Sequence, residues 1–145
     1  MNSGLWGDIP DDGLTRWGWG QAWGMSFALA TVVLDCPDAD ALAAFYGSLL
    51  DWPVTAREEG WVLMRDPRSG VGLAFQSERW YEPPVWPEEP GRPHKMLHLD
   101  LRVPDLAEAV RQAVAAGARE AAQQPQEDVR VLFDPAGHPF CVFRE

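Results

Sequence analysis

Cysteine is scarce in this chain: there are two, Cys36 and Cys141, with no C-x-x-C spacing between them. That excludes a disulfide scaffold and suits a reducing cytosol. Basic residues are also few. Twelve Lys and Arg stand against 22 Asp and Glu, a net charge of −10, which is the wrong sign for a surface that tracks phosphates. Nucleic acid is therefore excluded as an expected partner. One stretch without charge, residues 17–34, approaches the length of a membrane span. It carries Gly18, Gly20, Gln21 and Gly24, becomes β-branched in its second half, and follows Asp8, Asp11 and Asp12 where a signal peptide would be basic. No membrane partner is expected, and the chain reads as cytoplasmic. At 145 residues it forms one domain, or two small halves sharing a core, and needs neither disulfide nor structural metal to fold.

Tryptophan is abundant by contrast. Four of the eight, Trp6, Trp17, Trp19 and Trp23, lie among glycines before Met25. Residues 1–26 read as an N-terminal extension, either poorly ordered or an arm that docks its indoles. Residues 27–145 read as the domain proper. Within it Leu34-Asp35-Cys36-Pro37-Asp38 matches Leu101-Arg102-Val103-Pro104-Asp105, 67 positions further on. An apolar helical stretch follows each Pro-Asp, with Asp38 and Asp105 placed as N-caps. Further along, Asp66-Pro67 with Gly70 mirrors Asp134-Pro135 with Gly137, each before an apolar strand. Both halves therefore read strand, helix, strand, strand, strand, the first over about 27–76 and the second over about 96–145. Residues 77–95, holding five prolines, form a surface connector.

From Met96 to Val103 the alternation is clean: Leu97, Leu99, Leu101 and Val103 on one face, Met96, His98, Asp100 and Arg102 on the other. The leucine face takes the helix and the polar face a cavity. By the repeat, Val32, Leu34 and Cys36 face their helix, while Thr31, Val33 and Asp35 face the cavity. The expected fold is α+β, two βαβββ modules forming paired curved mixed sheets around a cleft, with helices outside.

The runs Leu34 to Asp38, Leu97 to Leu106 and Phe133-Asp134-Pro135-Ala136-Gly137-His138 resemble the glyoxalase/bleomycin-resistance/extradiol-dioxygenase (vicinal oxygen chelate) superfamily over about residues 27–145. The resemblance implies the fold, and a choice among isomerases, dioxygenases, thiol transferases and metal-free drug-binding proteins. It further implies a homodimer. Metal enzymes of that family take one ligand from each of four equivalent strands; those positions fall here on Thr31, Ala74, His98 and Cys141. Only His98 is an orthodox ligand, and Thr and Ala cannot replace carboxylates. No metal and no cofactor is implied.

His98 and Asp100 share a strand face with Arg102. The carboxylate can fix the imidazole's tautomer, making His98 a general base with Arg102 as an oxyanion-stabilising cation; alternatively Asp100 and Arg102 form a structural ion pair. Cys141 is either a reactive thiol or a small buried residue. His138, in the last turn, is expected to be exposed. Trp61 and Met64, Trp80, Tyr81 and Trp86 of the connector, and Phe133 and Phe143 are expected to line or cover the cleft, a wall suited to a flat or cationic organic ligand. Metal-independent small-molecule binding in the cleft is the preferred function. The alternatives are a metal-free lyase or isomerase using His98, and a metal-dependent enzyme.

Overall fold

The computed structural model describes residues 27–144; the Trp-rich residues 1–26 lie outside the described residues. The elements run β1 (Thr31–Cys36), α1 (Ala39–Leu50), β2 (Val54–Glu58), β3 (Trp61–Arg65), β4 (Gly72–Ser77), β5 (Asp100–Arg102), α2 (Leu106–Ala116), β6 (Arg119–Glu120), β7 (Val129–Phe133) and β8 (Pro139–Phe143). Both helices start for the reason their sequence suggests. Asp38 Oδ1 accepts from Ala41 N at 3.0 Å, and Asp105 Oδ1 accepts from Glu108 N at 2.9 Å, satisfying one of the first-turn donors in each case. The helix α2 ends at Gly117, whose φ of 121° is open to glycine and strained for any other residue.

Two open four-stranded sheets result, in the order β1-β4-β3-β2 and β5-β8-β7-β6. In each, the first strand pairs parallel to the last and the others run antiparallel. The 67-residue repeat holds at the level of single contacts. Val33 lies opposite Ala74 in the first sheet and Asp100 opposite Cys141 in the second, both residues advanced by the same interval.

One core serves both halves. Leu42, Phe45 and Tyr46 of α1 meet Leu34, Met64 and Phe75 of the first sheet, and Leu132, Phe140 and Val142 of the second. The ring of Phe140 lies 5.9 Å from that of Phe45 and 6.1 Å from that of Tyr46, both edge-on. The fold is thus α+β with both helices on one side of the sheets, which leaves the opposite faces to carry the site.

Two expectations need correction here. The second module's first strand covers only Asp100–Arg102, with Leu99 O still accepting from Cys141 N at 2.9 Å. In this register His98 would face Pro139, which has no N–H to give, and Leu97 would face the turn before it. The partner strand runs out, so Leu97 is 50% exposed rather than packed under the helix. Met64 is fully buried in the shared core and cannot line a cleft.

Candidate functional site

Strand parity puts His98, Asp100 and Arg102 on the helix-distal side of the second sheet, with Cys141 and Phe143 beside them on β8. His98 Nδ1 lies 2.8 Å from Asp100 Oδ1. A carboxylate only accepts, so the shared proton sits on Nδ1, and Nε2 is left as an acceptor in the neutral ring. The Cys141 sulfur lies close to the same carboxylate across the β5–β8 pair. Burial, followed by the charge of Asp100, pushes that thiol's pKa up, so the sulfur stays protonated and is a poor nucleophile at neutral pH. The ligand-capable atoms of His98, Asp100 and Cys141 all fall within 4.8 Å of one another.

An apolar wall adjoins this trio. Ala121, Val131 and Phe133 cluster on the same side, and Trp86 and Cys141 pack against them. The connector brings the Trp86 indole edge-on to Phe133 at 6.4 Å, and the Arg119 guanidinium sits 4.3 Å above the same phenyl ring.

The first sheet presents no such chemistry at the corresponding positions. Thr31, Val33 and Ala74 occupy them, with Trp61 further across the sheet on the same face. A metal shared between modules, as the four positions would require, is not fitted by this donor set. One module supplies a hydroxyl and a methyl, and the other supplies a thiol and an imidazole already hydrogen-bonded to Asp100.

A second polar cluster lies where the connector crosses the junction of the modules. Asp134, buried, accepts from Tyr46 Oη at 2.8 Å and from His138 Nδ1 at 2.8 Å through Oδ2, while Oδ1 accepts the backbone N–H groups of Ala136 and His138 at 2.9 and 3.0 Å. Tyr81 Oη donates to Ala136 O at 2.9 Å and lies 3.3 Å from His138 Nε2. His138 is therefore not the exposed turn residue its position suggests: its side chain is 19% exposed. The repeat signals the turn but not its burial. Asp66, the earlier partner of Asp134, caps its own turn by accepting from Arg68 N and Ser69 Oγ at the surface; the second copy does the same inside the core, where the extra lone pairs recruit Tyr46 and His138.

A family model described as a glyoxalase-like domain matches residues 31–143. The chain belongs to the glyoxalase-like domain family. No curated protein matches it. The glyoxalase-like chain is similar in fold to a glyoxalase/bleomycin resistance protein/dioxygenase family enzyme from Burkholderia phytofirmans, with 18% identity, a TM-score of 0.59, and 80% of this chain and 97% of that one covered. A bleomycin resistance determinant encoded on the transposon Tn5 aligns with 24% identity and a TM-score of 0.53, over 82% and 98% of the two chains. A fosfomycin resistance protein from Listeria monocytogenes aligns with 12% identity and a TM-score of 0.60, over 83% and 95%. These likenesses speak for the glyoxalase-like fold.

Of the residues singled out in the sequence, the fold of this glyoxalase-like chain brings His98, Asp100 and Cys141 together, with Arg102 next on the strand and Trp86 at the adjoining wall. Thr31, Ala74 and Trp61 belong to the other sheet. Trp80 is 81% exposed, with the Arg79 guanidinium 4.6 Å over its ring, and belongs to the groove at the module junction. Among the described residues no helix is long and apolar enough to cross a membrane.

Proposed function

We propose that this glyoxalase-like chain is a metal-independent small-molecule-binding protein whose ligand, a flat or cationic organic molecule, lies in the cleft against the helix-distal faces. His98 and Asp100 give it hydrogen bonds, Trp86 and Phe133 a wall, and Thr31 and Trp61 a neutral surface on the other module; Ala74, expected at the ligand, is fully buried and does not reach it. The observation that carries this reading is the His98–Asp100 hydrogen bond beside an aromatic wall. Asp100 accepts from His98 Nδ1, leaving Nε2 of the partly exposed ring as a single directed acceptor next to the apolar wall, the pairing of one placed polar group with apolar lining that ligand sites use. The resemblance to the family supports a homodimer in the cytoplasm as its setting.

Native mass spectrometry and elemental analysis of the protein as purified test this directly. The expected result is an organic mass released on denaturation, with no stoichiometric metal, and weaker binding of that compound by His98→Ala and Trp86→Ala. Stoichiometric zinc, iron, nickel or manganese that disappears in His98→Ala overturns it. The His98–Asp100 hydrogen bond favours a second reading, a metal-free lyase or isomerase in which His98 removes a proton next to a carbonyl and Arg102 steadies the resulting oxyanion. Under that reading His98→Ala leaves affinity intact and abolishes turnover, whereas under the first it weakens binding and there is no turnover to lose.

A further inference from the structure

The groove at the module junction has a volume of about 420 Å³, within the range of small-molecule sites, and none of His98, Asp100 or Cys141 lines it. At its base is the Asp134–His138–Tyr81 chain. Asp134 fixes the His138 ring through Nδ1, so in the neutral ring Nε2 carries the lone pair. Tyr81 has one proton for two acceptors, and it sits 2.9 Å from Ala136 O against 3.3 Å from His138 Nε2. With that proton on the carbonyl, Nε2 is an acceptor awaiting a donor at the groove. The rim supplies flat apolar surface from Trp80 and Met96, 81% and 89% exposed. Three carboxylates, Asp35, Glu78 and Glu82, also line it. Against them stand His94 and Lys95, the latter already held by Glu88 at 2.6 Å. Arg79, stacked on Trp80, is a further cation beside the rim.

We infer that this groove is a second binding site, separate from the cleft of the proposed function, for a small organic cation carrying N–H donors on a flat body, of the aryl amidinium type. An N–H of the ligand bonds to His138 Nε2, its charge is met by Asp35, Glu78 and Glu82, and its body lies on Trp80 and Met96. Recognition here combines one directed bond with a diffuse negative field, so it discriminates by charge as well as shape.

Benzamidine, with uncharged benzamide as its isostere, tests this by titration into the isotopically labelled full chain. Saturable benzamidine shifts centred on Trp80, Tyr81 and His138 are expected, with benzamide at least about tenfold weaker. His138→Gln should weaken benzamidine about tenfold through the lost acceptor. Because His138 also supports the buried Asp134, the exposed pair Asp35→Asn and Glu82→Gln provides a variant that leaves the fold alone, and should cost about fivefold. His98→Ala should change nothing. Benzamide binding as well as benzamidine, shifts centred instead on His98 and Cys141, or wild-type affinity in both variants would each overturn the inference. Only shifts centred on His98 and Cys141 bear on the cleft, where they would support a cationic ligand; the other outcomes leave that reading untouched.

Discussion

Tyr46 and Asp134 meet across 88 positions of sequence, and their 2.8 Å hydrogen bond is buried. Every lone pair that Asp134 offers is met by a named donor, which is why a carboxylate can sit in this core at all. Asp134→Ala removes that acceptor and strands the buried Tyr46 hydroxyl, so it should cost about 3–5 kcal/mol in urea unfolding. Tyr46→Phe leaves Asp134 three donors and should cost about 1–2 kcal/mol. The cysteines give a pH-dependent counterpart. Burial raises the Cys36 thiol from its ordinary value near 9 to about 11. The folded state therefore keeps a proton that the unfolded state gives up. The stabilisation is complete below pH 9 and is lost as the pH climbs through about 11. The melting temperature should fall across that interval, and Cys36→Ala should flatten the first part of the fall. At pH 7 a disulfide reagent such as dithionitrobenzoate should label neither Cys36 nor Cys141 until the protein is unfolded, since both thiols are raised by burial.

Among the elements, the pairing of β1 with β4 shows how tightly the first sheet is specified. A Cβ built on Gly72 would lie 2.6 Å from Thr31 Oγ1, 2.9 Å from Leu63 Cδ1 and 3.2 Å from Ala30 O. Two of those atoms are side-chain ends and one is backbone, so the neighbours can yield only in part. Gly72→Ala should destabilise by about 1–3 kcal/mol, and adding Thr31→Ala should recover a measurable share, a coupling that a double-mutant cycle reads directly. Helix starts, turn positions and strand faces were legible in the sequence because each rests on local chemistry: Asp38 and Asp105 cap where their carboxylates fall three residues before a free N–H. The length of β5 was not legible, since it is set by Pro139 on a strand 40 residues away. Met64 was misjudged for a different reason: Trp61 to Met64 is a continuous apolar run, and positions 61 and 64 fall on opposite faces of the strand, so only one of them could face the cleft. The trio of His98, Asp100 and Cys141 was half visible: parity placed His98 with Asp100, and the repeat placed Cys141 at the family position equivalent to Ala74. Only the register of β5 on β8 joined Asp100 to Cys141. The buried role of His138 depended on Tyr46 and Tyr81 arriving from distant segments, which no local pattern announces.

For the whole molecule, the decisive fact is that two repeated modules share one core. Each sheet with its one helix lies near the lower size limit at which a single core is stable alone. The shared aromatic cluster of Phe45, Tyr46, Phe75 and Phe140, together with the Tyr46–Asp134 bond, places the interior of the second module against the helix of the first. Gly137 adds a tie from outside: at φ 92° it brings the last hairpin turn so close to the connector that a Cβ there would meet Pro83 Cβ at 2.8 Å. Unfolding should therefore be a single event. Tryptophan fluorescence, which besides the four indoles before Met25 samples Trp52 and Trp61 in the first module and Trp80 and Trp86 in the connector, should report the same urea midpoint as far-ultraviolet circular dichroism, which samples both sheets. Phe140→Ala, although made in the second module, should lower both midpoints together by an amount equivalent to about 3–5 kcal/mol. Separate midpoints for the two probes, or a Phe140→Ala shift confined to one of them, would show that the modules are autonomous units and that the common core is a contact between them rather than the reason either one folds.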